Sequence, residues 1–195
     1  MQTVLLQNQK EFSLEPKQNT LYLVLLDKES SIGKIKVDLF FKKSNLNCQL
    51  LFIGILKNKS NWYLESNIKH LVPKTSCLTE VYLSQSDESK VDYLGQILIE
   101  QKASQTKSFL KEQSLIVGDA VYNRSQPVLE ILNNRVKASH SATSSRLNEA
   151  DLFYLMSRGF TKSEAEKILQ EAFFNKILDS IKNKEAKKMI EDYLC

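Results

Sequence analysis

Seven short apolar or alternating runs occupy the first 140 or so residues, and no helical period interrupts them. They are Leu21–Leu26, Ile35–Phe41, Leu50–Leu56, Val81–Leu83, Tyr93–Ile99, Leu115–Val117 and Val128–Ile131. Runs of this length, rich in Val, Ile, Phe and Tyr, are the signature of strands, so the body of the chain is mainly β. The separators are Asn, Ser, Lys, Asp and Gln; the whole chain has only five glycines and three prolines. That composition disfavours a sandwich built on tight two-residue hairpins, which require Gly or Asn-Gly at the turn. The runs follow one another at irregular spacing with no repeated motif, so a β-solenoid and a distorted sandwich both satisfy the pattern.

After residue 147 the period changes from two to 3.6. Asn148 is placed as an N-cap for a helix over Glu149–Ser157, and Gly159 supplies the left-handed stop. Thr161 to Glu164 reads as a capping box for a second helix, with Phe160 and Ala165 as its hydrophobic staple. Along that helix Ala165, Ile168, Leu169, Ala172, Phe173, Ile177 and Ile181 fall on one expected face. A last amphipathic stretch carries Ala186, Met189, Ile190, Tyr193 and Leu194, after a hinge-like Lys182-Asn183-Lys184. The expected division is a β body over residues 1–145 and a small C-terminal helical domain over 146–195.

The bulk properties exclude several classes. The net charge of +4 is carried mainly by scattered lysines, with arginine only at 124, 135, 146 and 158, which argues against nucleic acid as the main partner. No apolar run approaches the length of a membrane span, and the start lacks the features of a signal peptide, so the expectation is a cytoplasmic protein without a membrane partner. Cys48, Cys77 and Cys195 lie far apart with no zinc spacing; Cys48 and Cys77 read as small buried apolar residues. There is no phosphate-binding glycine loop, so no nucleotide is expected on this chain. No nucleophile elbow or paired histidine set suggests an enzyme, and the chain reads as non-catalytic.

Five stretches together resemble, in order and spacing, the SufB/SufD family of iron–sulfur cluster assembly proteins. They are His70–Ser76, Tyr93–Ile99 with Ala103–Thr106, Ser114–Val117, Pro127–Ile131 with Val136–Thr143, and Leu152–Phe160, continued by Ala165 and Ala172-Phe173. The resemblance covers about residues 68 to 181. It implies a right-handed parallel β-helix (a β-solenoid) with a C-terminal α-helical domain. It further implies a scaffold that pairs with a SufB-type subunit, or with itself as a homodimer, and docks a SufC-type ATPase through its C-terminal helices. A transient iron–sulfur cluster would then assemble at the subunit interface. Compared with the family the chain looks short, without a sizeable N-terminal helical region.

Carried over residue by residue, the position of the SufB cluster-building cysteine falls on Val121, and that of its partner glutamate on Ser141. Both functional side chains are absent. SufD-type runs instead carry a histidine, present here as His140, although Ala138 stands in place of their cysteine and Ser141 in place of their glycine. The chain therefore resembles SufD more than SufB, with His140 as the candidate cluster ligand or assembly residue. Imidazole is a competent iron ligand, and a neutral ring can move protons near pH 7. The resemblance places partner binding on Phe153, Tyr154, Arg158, Gly159 and Phe160; packing of Phe153 and Tyr154 onto the solenoid end is the alternative. His70 is assigned a structural role. The losses at Ala138, Val121 and Ser141 also fit a β-helix kept as an interaction module without a cluster role.

Overall fold

The computed structural model describes every residue except 8, 9, 29, 120 and 195. Cys195 thus lies outside the described residues. Two parallel sheets face each other across a filled lumen. One is built from β1 (Gln2–Leu6), β3 (Thr20–Leu25), β5 (Asn47–Leu56), β7 (Ser76–Ser86), β9 (Lys107–Val117) and β11 (Lys137–Arg146), hydrogen-bonded in that order. The other runs β2 (Glu11–Leu14), β4 (Ile32–Phe41), β6 (Asn61–His70), β8 (Lys90–Ile99) and β10 (Tyr122–Ile131). Each strand pairs with the strand two later in sequence, which is the connectivity of a solenoid and settles the choice against a sandwich.

Leu21 pairs with Gln49, Gln49 with Leu78, Leu78 with Phe109 and Phe109 with Ser139, so one turn takes 28 to 31 residues. The runs seen in the sequence are half-turns, and the varying advance hides the period. Four strands escaped the pattern: β1, β2, β6 and β11. The case of β6 is physical, because its inward-facing set mixes Trp62, Leu64 and Ile68 with Ser66 and His70.

Corners that in other β proteins fall to glycine are turned here by side-chain-bearing residues in the left-handed region. Asn45, Lys74 and Gln105 have φ of 61°, 58° and 58° and recur once per turn at one corner. Asn58 and Asp87, at 57° and 58°, recur at another, where Gly118 takes the next turn. The corners are stitched through the backbone: Asn45 N–H donates to the Lys74 carbonyl and Gln105 N–H to that of Arg135. Asn and Asp tolerate this conformation through their short polar side chains, which explains how the chain turns so often with few glycines.

Paired residues in parallel strands share a face, so the lumen reads as stacked columns. The column Val24, Phe52, Val81 is fully buried and apolar. Each such side chain contributes roughly 1.5–3 kcal/mol by burial. Gly95 faces the lumen because space is short there: a Cβ would lie 2.2 Å from Leu110 Cδ1 and 2.7 Å from the Tyr93 hydroxyl. Cys48 and Cys77 are buried, free and adjacent in register. Burial lifts the thiol of Cys77 far above its ordinary range and that of Cys48 in the same direction. They are packing residues, as expected from their types.

The chain then leaves the last turn through α1 (Glu149–Ser157), α2 (Lys162–Ser180) and α3 (Lys184–Leu194). Phe174, Ile177 and Leu178 of α2 and Ala186 and Ile190 of α3 bury Leu21, Leu23, Leu51, Ile53 and Tyr82 on the outer face of β3, β5 and β7. Tyr193 Oη accepts from Ile55 N–H at 3.2 Å, and Gln170 Nε2 donates to Ser84 Oγ at 2.5 Å. The buried stripe of α2 is shifted from the expected one: Phe174 and Leu178 are buried, whereas Ala172 is exposed. The helix meets the solenoid on one side and α1 on another, so a single 3.6-residue stripe does not describe it.

Candidate functional site

The solenoid changes character at its C-terminal end. Both β10 and β11 are terminal strands of their sheets, and among the described residues no further turn covers them. Along β11 every residue is exposed except Ala138, which is half-buried against the core, and its outer edge has no strand partner among the described residues. An unpaired edge of ten residues is a template for strand addition.

His140 sits on this strand. It pairs with Leu110, which stacks on Thr79 and Leu50, so it occupies a lumen-facing column. Because nothing follows it, His140 is exposed where Leu110 is 2% exposed. Ala138 and Ser141 lie on the same strand, on the lumen-facing and outward sides respectively, and Val121 immediately precedes β10. Among the described residues no group of three or more His, Cys, Asp or Glu side chains converges as a metal site. Any cluster on this surface needs ligands from elsewhere.

Sequence reasoning missed Glu112. It lies in the column of Phe52 and Val81, pairs with Ala142, and is only 1% exposed. Ser114 Oγ donates to its Oε1 at 2.9 Å, whereas Oε2 is buried without a hydrogen-bond partner. Asn123 Oδ1 and Ser125 Oγ on β10 are likewise buried and unpartnered. Tyr93 is nearby: burial first, and the Glu112 charge among the lesser causes, hold its phenol protonated well above the usual range. Its hydroxyl shares a 2.7 Å hydrogen bond with Ser66 Oγ. The only sequence signal for Glu112 is the alternation Ser108, Leu110, Glu112, Ser114 along β9, which is too polar to read as a buried face.

His70 is a different case. It is fully buried, stacked on Phe41 at 4.6 Å, with Nδ1 bonded to Thr75 Oγ1 at 2.8 Å and Nε2 to Ser108 Oγ at 3.0 Å. Burial pushes its pKa down to about 3. Both ring nitrogens are satisfied internally, which makes it a structural residue.

The second surface is α1, which buries none of its residues. Asn148 Oδ1 accepts from Ala150 and Asp151 N–H, the N-cap expected from the sequence. At the other end Gly159 N–H donates to Met156 O and Phe160 N–H to Leu155 O, with Gly159 at φ 98°, the pattern of a Schellman stop. The capping box between Thr161 and Glu164 is formed. Phe153 is 74% exposed, Tyr154 55%, Met156 44% and Phe160 43%. Phe153 and Tyr154 therefore do not pack the helix onto the solenoid. The Arg158 guanidinium lies 5.2 Å from the Tyr154 ring centroid, a cation–π contact on the exposed face.

A cleft of about 960 Å³ between the helices and the solenoid corners mixes Lys57, Asp87, Glu166, Lys167 and Glu171 with Phe174. Among the described residues no helix is long and apolar enough to cross a membrane.

Residues 5–173 match the family described as "SUF system FeS cluster assembly, SufBD core domain". Over 105 residues the chain is 29% identical to the iron–sulfur cluster assembly protein SufD of Escherichia coli, covering 54% of this chain and 25% of that protein. It is 33% identical over 104 residues to SufB of Bacillus subtilis, covering 53% and 22%. An iron–sulfur cluster assembly SufBD family protein of Pyrococcus horikoshii is 30% identical over 145 residues, covering 71% and 32%. The alignments thus span between 22% and 32% of these relatives' own length.

Proposed function

The chain belongs to the SufB/SufD family of iron–sulfur cluster assembly proteins, and from that premise we propose that it is a SufD-like, non-catalytic scaffold subunit. In this reading α1 docks a SufC-type ATPase, which supplies the nucleotide chemistry. The open solenoid end pairs with a SufB-type subunit or a second copy, and a transient cluster forms at that junction as cargo. Identity alone does not separate SufD from SufB, because the chain is similar to both. The SufD assignment is supported by His140 being in place while Val121 and Ser141 stand where SufB-type residues would be.

The observation that carries the docking role is α1 itself: a doubly capped helix with no buried residue and four exposed large apolar side chains within or just after it. Its caps and its packing on α2, with Leu152 and Leu155 half-buried, hold the helix, so the apolar side chains left exposed are available to a partner. Phe153→Ala with Tyr154→Ala should lower co-purification of a co-expressed SufC-type ATPase by about tenfold or more, with the thermal melt unchanged. Undiminished co-purification overturns the docking role. The second reading, an interaction module without a cluster role, is favoured by Ala138 replacing the SufD-type cysteine. It predicts intact docking with no cluster formed.

A further inference from the structure

We propose that the lumen behind the open end holds a weak divalent-cation site, with the Glu112 carboxylate as its anionic ligand. Asn123 Oδ1 and Ser125 Oγ are its neutral oxygen donors, and His140 stands at its mouth. Three buried oxygens have no hydrogen-bond partner among the described residues: Glu112 Oε2, Asn123 Oδ1 and Ser125 Oγ. Buried acceptors without donors are costly, and a carboxylate oxygen more than the others. All three face inward on the last two turns, and the contacts around them link them into one region. Ser114 donates to Glu112, Ser114 pairs with Ser144, and Asn123 Nδ2 donates to Ser144 Oγ at 2.8 Å. Ser125 pairs with Tyr93, the phenol on which the Glu112 charge acts.

The column above Glu112 ends in Ala142, an exposed residue whose single methyl leaves only a small lid. One lumen-facing step along β11 stands His140, about 8 Å away between Cα atoms by strand spacing and rise, a gap that Glu and His side chains can bridge. A carboxylate, an amide oxygen, a hydroxyl and an imidazole form a donor set for divalent cations that accept oxygen and nitrogen, such as Mn²⁺ or Fe²⁺. With only one anionic ligand the site would bind weakly and release readily. Naming Fe²⁺ as the physiological occupant rests on the scaffold reading, in which iron is cargo; the cation site itself does not.

The test uses the full chain under anaerobic conditions with Mn²⁺ as the probe, its free-ion paramagnetic resonance signal reporting binding, and Fe²⁺ as competitor. About one Mn²⁺ per chain should bind and be displaced by Fe²⁺. Glu112→Gln should weaken binding about tenfold or more, and His140→Ala by a smaller factor. Absence of binding by the unaltered chain, or unchanged affinity in Glu112→Gln, overturns the proposal and leaves the orphan oxygens to water alone. If Glu112→Gln does not fold, Ala142→Leu reads the same question, because it blocks the lid from an exposed position; unchanged binding there is equally fatal. Co-purification of the ATPase, measured in parallel on Glu112→Gln, reports separately on the scaffold reading.

Discussion

Six strands share one inward-facing column, and its members change from Leu6, Val24, Phe52 and Val81 to Glu112 and then Ala142. The backbone ladder is the same at both ends of that series; the side-chain chemistry is opposite. In the middle turns each residue is covered above and below, so apolar side chains contribute their full burial. At β10 and β11 one side is missing; β11 carries small or polar residues where an apolar row would be left facing water, while β10 still presents Tyr122, Val128 and Ile131. A closed turn and an open turn thus differ in what must come next: the first needs only its neighbours, the second is completed from outside.

Paired substitutions test this contrast most strongly. Phe52→Ala should cost about 3–5 kcal/mol in urea unfolding, whereas His140→Ala should stay within about 0.5 kcal/mol. Comparable losses at the two sites would show that the last turn is part of the core.

A smaller effect comes from pH and belongs to the closed turns alone. His70 has a folded pKa of about 3 against an ordinary value of 6.5, so the unfolded chain binds the extra proton between those values. Stability is therefore intact above pH 6.5 and falls as pH drops toward 3. At pH 4.5 the loss is on the order of 3 kcal/mol. His70→Asn, whatever it costs at pH 7, should lose that part of the slope; an unchanged pH profile would remove His70 from the account.

The smallest effect concerns the corners. Lys74 and Gln105 hold left-handed φ without the local hydrogen bonding that suits Asn or Asp, so Lys74→Gly should stabilise by about 1 kcal/mol. A loss instead would mean that the Lys74 side chain secures the corner in a way the backbone geometry does not require.

Much of this was legible in the sequence, unevenly. The strand-rich body, the helix over Glu149–Ser157, its Asn148 cap and the Thr161–Glu164 box follow from local chemistry, and the structure has them where the residues place them. The pairing of each strand with the second one after it was not legible, because parallel register depends on the length of a whole turn and that length varies from 18 to 32 residues. Family resemblance supplied the solenoid that periodicity left open. His140 could be named from its run but not its exposure, which depends on there being no strand beyond β11. Glu112 was invisible for the converse reason: among Lys111, Gln113 and Ser114 a glutamate reads as solvated, and only the lumen column shows it buried. The aromatic pair in α1 gave two readings until the helix was found to bury nothing.

The account rests on the open end being a place where a cluster is built with a partner. The direct measurement is anaerobic reconstitution of the complex with a SufB-type subunit and a SufC-type ATPase, following the visible absorption of the cluster. The scaffold account predicts absorption with the unaltered chain and a clear reduction with His140→Ala, at equal folding and equal ATPase binding. Equal cluster yield from both proteins would contradict it.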